Sequence, residues 1–113
     1  MPRRGELYDG TFSDKQQVVI VVSGDGRNAS WSTVLVAPVV TNPLLAQTAP
    51  IQTAVKLGDA EQVEGMVMCD IIFPAKVAEF TTTGQLLGEV SGTALEKINR
   101  ALVKVFDIQG FEP

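Results

Sequence analysis

Gln17-Val18-Val19-Ile20-Val21-Val22-Ser23-Gly24-Asp25-Gly26-Arg27-Asn28-Ala29-Ser30-Trp31-Ser32-Thr33-Val34-Leu35-Val36-Ala37-Pro38-Val39-Val40-Thr41-Asn42 is the stretch that decides the fold. Its two apolar runs, Val18–Val22 and Val34–Val40, are rich in β-branched residues, which fit a pleated, packed surface. Between them lies a polar segment with two glycines, a composition for a loop. The pattern predicts two central antiparallel strands joined by that loop. Each strand delivers polar groups to its end, Ser23 on the first and Thr41-Asn42 on the second. Trp31, just before the second run, reads as an apolar plug rather than a base-stacking ring.

The 113 residues are expected to form one domain, 1–113, large enough for a real core. With 45% hydrophobic and 19% charged residues the composition is that of a globular chain. The longest apolar run falls far short of the ~20 residues of a membrane-spanning helix. No apolar segment follows Arg3 and Arg4, so no signal peptide is read and a cytoplasmic protein is expected. Cys69 is the single cysteine and histidine is absent, which removes internal disulfides, the usual zinc sites, Cys-His pairs and Ser-His-Asp triads. Any catalysis must use carboxylates, hydroxyls, Lys, Arg or Tyr. A net charge of −4 argues mildly against a broad phosphate-binding surface, while nine basic residues are enough for a local basic groove.

Around the central pair, Gly5–Tyr8 reads as a short first strand ended by Asp9-Gly10, and Thr11 to Gln17 as loop. Asn42 to Pro50 is an irregular connection bounded by prolines. Ile51 to Leu57 alternates apolar and polar residues as a half-buried strand does, and Gly58 to Glu64 is an acidic loop. Gly65 to Phe73 is an apolar run interrupted by Asp70, and Pro74 ends it or sets it at a sheet edge. Lys76 to Phe80 is a strand end or a helical turn, and Gly84 to Val90 a last strand. The C-terminal segment is a helix capped by Ser91 or Thr93, the latter at capping-box spacing from Glu96. Leu95, Ile98, Leu102, Val105 and Phe106 form its apolar stripe. The fold class expected is mostly β with a C-terminal α-helix, a small barrel with the helix docked on it.

This order of pieces resembles the MazF/PemK/Kid family of toxin endoribonucleases, which share an SH3-like barrel with the gyrase poison CcdB. Arg4-Gly5-Glu6-Leu7-Tyr8 looks like the family's opening. Val19–Ser23 with Arg27-Asn28 is similar to its second strand and loop, and Val34–Thr41 to the strand that ends in its active-site hydroxyl. Gly65–Asp70 looks like its Val-Val-x-Cys-Asp strand, and Leu87–Val90 plus the helix like its ending. The resemblance covers Arg3 to about Ile108.

What it implies is a homodimer that cleaves single-stranded RNA without metal or cofactor, neutralised by a small antitoxin with an acidic disordered tail. By the same resemblance, Thr41 falls on the active-site hydroxyl and Asp70 on the carboxylate that Kid-like members use as base. The chain departs from the family pattern at three places. Gln17-Val18 stands where many members carry Arg-Pro, Met68 where Kid-like members carry arginine, and Phe73-Pro74 where Arg-Thr is frequent. Lys15, two residues before Gln17, or Arg27 from the next loop is then the cation available to the reaction. Arg27, Arg4, Gln17 and Asn42 are the expected RNA contacts, and Arg3 and Arg4 either line a dimer groove or stay exposed.

Blander roles stand beside each of these: Thr41 as a turn residue, Asp70 as a structural hydrogen-bond acceptor, Lys15 as a solvated charge and Cys69 as a small core residue. The missing arginines also support a second reading, a non-enzymatic binding module on the same scaffold, such as a gyrase inhibitor.

Overall fold

A computed structural model describes residues 1–42 and 53–106. The elements run β1 (Glu6–Phe12), β2 (Lys15–Val21), α1 (Asp25–Ser30), β3 (Thr33–Val40), β4 (Ala54–Leu57), β5 (Gly65–Met68), β6 (Phe73–Lys76), α2 (Val77–Thr82), β7 (Gln85–Glu89) and α3 (Gly92–Phe106). The strands form one seven-stranded sheet in the order β4-β5-β3-β2-β1-β7, with β6 also paired to β3. All the pairings are antiparallel. Among the described residues β4 and β7 share no ladder, so the curled sheet stays open rather than closing into a barrel.

The two central strands are where the sequence puts them, with Val18 opposite Val39 and Val21 opposite Val36. Their runs are continuous rather than alternating because both faces of the sheet are covered. On one face Ile20, Val22, Ala37 and Val39 pack with Val55, Val67 and the Ala94, Ile98 and Ala101 side of α3. On the other, Val19, Val21, Val34 and Val36 pack with Phe12, Ala75 and Phe80 beneath α2. The connection between β2 and β3 holds a six-residue helix, α1, and not only loop. Asn28 on it is fully buried, accepting from the Ser23 hydroxyl and donating to the carbonyls of Ser23 and Pro2.

Other expectations are corrected too, the first being that β1 does not end at Asp9-Gly10 but runs on to Phe12. Thr11 to Gln17 is no loop: β1 and β2 form a hairpin closed by Ser13-Asp14, with Phe12 paired to Lys15. Both turn residues have positive φ, 53° and 62°, as a type I′ turn requires. The segment looks polar because most of its side chains are solvent-facing, while Phe12 alone reaches the core and packs against Phe80 at 4.9 Å. Trp31 is 62% exposed and plugs nothing. Phe106, expected on the buried stripe, is also exposed, and the buried line of α3 is Ala94, Ile98 and Ala101 with Leu95, Leu102 and Val105 at its margins. Asp70 is not inside a strand but exposed in the turn after β5.

Of the expected strand from Ile51 to Leu57, the part within the described residues holds, with Val55 and Leu57 buried and Lys56 exposed. Most of the Asn42 to Pro50 connection lies outside them. Pro74 sits on β6 at the sheet edge, opposite Leu35, and Lys76 both ends β6 and caps α2. Ser91 caps α3: its hydroxyl accepts from the Ala94 N–H at 3.1 Å and its carbonyl from the Leu95 N–H at 2.9 Å.

Candidate active site

β3 ends at Val40, leaving Thr41 and Asn42 exposed at one end of the sheet. β2 begins at the same end. Continuing its register beyond the Val18–Val39 pair sets Gln16 level with Thr41 and Lys15 level with Asn42. Lys15 is exposed, and no hydrogen bond or ion pair holds its ammonium among the described residues. Gln17 is half-buried and donates through Nε2 to the Phe12 carbonyl at 2.9 Å, so its amide is tied into the hairpin. The strand-end hydroxyl, the amide of Asn42 and one free cation thus share a sheet end.

Asp70 lies elsewhere, and the ladder explains where. From Val67, opposite Val39, to Phe73, opposite Val36, six residues run alongside three of β3. The excess makes a bulge between β5 and β6, and Asp70 projects from it. Pro38 accounts for its position. Val22 donates to the Leu35 carbonyl, so odd-numbered β3 residues face β2 and even-numbered ones face β5 and β6. Pro38 has no N–H to offer on that side, and the ladder fails there. Thr41 extends the register to the level of Gly65, five residues before Asp70, which is ~16 Å along an extended chain. The ladder thus sets the hydroxyl and the carboxylate at different levels along β3.

The two arginines are further removed. The Arg27 guanidinium donates to the Thr33 carbonyl at 2.9 Å and lies 5.1 Å from the centre of the Trp31 ring. Thr33 starts the strand that Thr41 follows, ~26 Å away at strand rise. Arg4 donates through its guanidinium to the Asn99 side chain on α3 and through its backbone N–H to Asp25 at 2.7 Å. Arg3 is exposed, with a loose contact of 3.9 Å to the same Asp25.

The chain matches, over residues 4–106, the family described as PemK-like, MazF-like toxin of type II toxin-antitoxin system. It belongs to that family. Among solved structures, a mycobacterial endoribonuclease in complex with its cognate antitoxin is 27% identical, with a TM-score of 0.82 over 96% of this chain and 97% of that one. A second mycobacterial endoribonuclease is 28% identical, with a TM-score of 0.80 over 96% of this chain and 93% of that one. A MazE–MazF complex from Deinococcus radiodurans is 18% identical with a TM-score of 0.75, covering 96% of this chain and 97% of that one, a likeness of fold. A comparison with curated proteins gave no match.

On this toxin fold, two titratable groups near the strands are unsuited to acid–base work at neutral pH. Burial, then the neighbouring Asp70 charge, pushes the Cys69 thiol up to about 11. Burial, then the hydrogen bond to Glu6 and its charge, pushes the Tyr8 phenol up to about 12. The hydroxyl of Thr41, the ammonium of Lys15 and the carboxylate of Asp70 remain as groups with open access. Sequence reading missed two polar features. Gln16 bridges Asp9 at 2.8 Å and the Thr11 hydroxyl at 3.2 Å across the hairpin, and no periodicity in that polar segment signals it. The other is a basic cleft between β4 and α3, whose walls come from segments ~40 residues apart in sequence.

Proposed function

We propose that this toxin-family chain is a sequence-selective, metal-independent endoribonuclease acting on single-stranded RNA, working as a homodimer and silenced by a cognate antitoxin with an acidic tail. The observation that carries the reading is the family match over 4–106, together with two endoribonuclease structures 27% and 28% identical over 96% of the chain. In the reaction a base takes the proton of the ribose 2′-OH, and the freed oxygen attacks the adjacent phosphorus. The bond to the 5′-oxygen breaks, that oxygen takes up a proton, and a 2′,3′-cyclic phosphate remains. DNA, lacking the 2′-OH, is spared.

Asp70 is assigned as the base, Thr41 as the hydroxyl that hydrogen-bonds the phosphoryl oxygens, and Lys15 as the cation that stabilises their growing charge. The exposure of all three supports the assignment. A homodimer answers the different levels of Thr41 and Asp70 along β3, because a two-fold axis is able to bring one protomer's carboxylate to its partner's strand end. Asn42 and Gln17 border the same strand end as RNA contacts, and Arg27 and Arg4 extend the path further off.

The test is incubation of the purified protein with a long single-stranded RNA in EDTA, with the ends mapped. Discrete cuts ending in 2′,3′-cyclic phosphates are expected, with cleavage lost in folded Thr41→Ala and Asp70→Ala and reduced on the order of 100-fold in Lys15→Ala. Full activity in Thr41→Ala and Asp70→Ala removes the residue assignment. Intact RNA with a folded dimer removes the nuclease reading, and a change in gyrase supercoiling would then favour the binding-module alternative.

A further inference from the structure

Trp31, the one tryptophan of the chain, stands 62% exposed between α1 and β3, and it is held in place. Its backbone N–H donates to the Arg27 carbonyl at 3.1 Å, and the Arg27 guanidinium lies 5.1 Å from the centre of its ring. That guanidinium is itself fixed, because it donates to the Thr33 carbonyl at 2.9 Å. A seated cation thus backs the indole, and most of the ring is left to water. A large planar surface fixed in this way loses little side-chain entropy when something lies on it.

Cations flank the ring on both sides. At the start of α1, six residues or about 9 Å away at helical rise, Arg3 and Arg4 meet Asp25. On the other side the Val77 N–H donates to the Ser32 carbonyl at 2.9 Å, and Lys76 pairs with Thr33 in the β3–β6 ladder. With Arg27, four of the nine basic residues gather about one aromatic ring in a chain of net charge −4. Three carboxylates stand among them, and each is bonded to the main chain. Glu6 accepts from the Arg3 N–H at 2.7 Å, Asp25 from the Arg4 N–H at 2.7 Å and Glu79 from the Lys76 N–H at 2.8 Å. The Arg3 guanidinium keeps only its loose contact of 3.9 Å to Asp25, and Lys76 is exposed. An open ring between cations is the arrangement that holds single-stranded nucleic acid, with bases on the aromatic face and phosphates on the charges. A protein interface buries its tryptophan at an apolar centre, whereas the chain neighbours here are the exposed hydroxyls of Ser30 and Ser32.

We propose that Trp31 is an RNA-stacking residue: an unpaired base lies on the open face of its ring, with adjoining phosphates on Arg3 and Lys76. The proposal rests on the reading of RNA as substrate given above. The ring is at the opposite end of β3 from Thr41, beyond Thr33, which is itself ~26 Å from Thr41 at strand rise. An RNA that reaches both extends several nucleotides past the scissile phosphate, so Trp31 acts on the grip of long substrates and not on the reacting atoms.

The test reads the fluorescence of Trp31 itself, against a twelve-nucleotide 2′-O-methyl oligouridine that keeps base and phosphate but lacks the nucleophile for cleavage. The free protein is expected to show the red-shifted, acrylamide-quenchable emission of an indole in water, and the oligonucleotide to quench it saturably. Anisotropy of the labelled oligonucleotide is expected to show binding weakened about fivefold or more in Trp31→Ala, with the salt dependence kept, and weakened less in Trp31→Phe. In Arg3→Ala/Lys76→Ala the slope of log affinity against log salt is expected to become shallower by about 1.4, as for two lost phosphate contacts. Blue-shifted emission that resists acrylamide would place the ring against a second copy of the chain and overturns the proposal. So does an oligonucleotide that fails to bind, that binds without quenching, or that binds wild type and Trp31→Ala equally, and so does an unchanged slope in the double variant. Cleavage of a long RNA is read on the same preparations. Quenching by a protein that leaves RNA intact refutes the nuclease reading and not the stacking site, whereas cleavage without quenching refutes the stacking site alone.

Discussion

Ser91 ties the helix to the sheet through one hydroxyl with two partners. That hydroxyl accepts from the Ala94 N–H at 3.1 Å and donates to Glu61 Oε2 at 2.6 Å, while the Ser91 N–H donates to Glu61 Oε1 at 2.8 Å. Glu61 thus does from a distant loop what a capping-box carboxylate does from within the helix. Ser91→Ala removes the cap, which costs about 1 kcal/mol, and the hydroxyl bond to Glu61, which adds only a fraction because both groups face solvent. For a chain of this size about 1 kcal/mol lowers Tm by about 5 °C. Ser91→Thr, which keeps the hydroxyl, is expected near the wild type.

A pH series separates the two parts. The bonds from Ser91, its hydroxyl first and its backbone N–H second, hold the Glu61 carboxyl below its ordinary 4.5. A folded-state pKa below the unfolded one means stability that is present above the ordinary value and lost as pH falls through the folded value. The Tm gap between wild type and Ser91→Ala is therefore expected to narrow from pH 6 to pH 3, leaving the cap's share. Thermal unfolding at one fixed protein concentration measures both. A loss under about 1 °C at pH 7, or a gap that does not narrow in acid, would refute this account of the helix start.

Asp14→Gly is expected to stabilise the chain by about 0.5 kcal/mol in urea unfolding. Asp14 holds a positive φ of 62° in the hairpin turn, where glycine is unstrained; a destabilised variant would contradict the I′ assignment. Gly84→Ala is expected to cost about 2 kcal/mol or more, since a Cβ there would stand 2.6 Å from the Phe80 carbonyl oxygen and 2.8 Å from its Cα. Unchanged stability would show that α2 shifts freely against the hairpin. Cys69, fully buried with its thiol pushed up to about 11, is expected to resist iodoacetamide at pH 8 in the native protein and to react on unfolding in guanidinium. Prompt native-state labelling, read by mass spectrometry, would mean that the sheet opens around β5.

The central strands, the half-buried β4, the last strand and the C-terminal helix were legible from periodicity because local pattern and burial agree there. The β1–β2 hairpin was not. Its tip projects into solvent, so its strands lack the apolar alternation that marks a half-buried sheet, and Phe12 is the lone sign of a core contact. Trp31 was misread because size and aromaticity argue for burial, whereas this ring has a guanidinium on its face and water beyond it.

Chemistry types were determined by the sequence alone. A chain without histidine and with one cysteine is left with carboxylates, hydroxyls and cations, and no packing changes that inventory. The order of the strand motifs was enough to suggest the family. Placement belonged to the tertiary structure. Register decided that Lys15 shares a sheet end with Thr41, and the missing N–H of Pro38 decided that Asp70 projects from a bulge some way along. Docking of α3 on β4 decided that Lys56 joins three helix cations on one cleft. Propensity and periodicity act over a few residues, whereas a site or a cleft is made by contacts between segments tens of residues apart, which only the folded chain brings together.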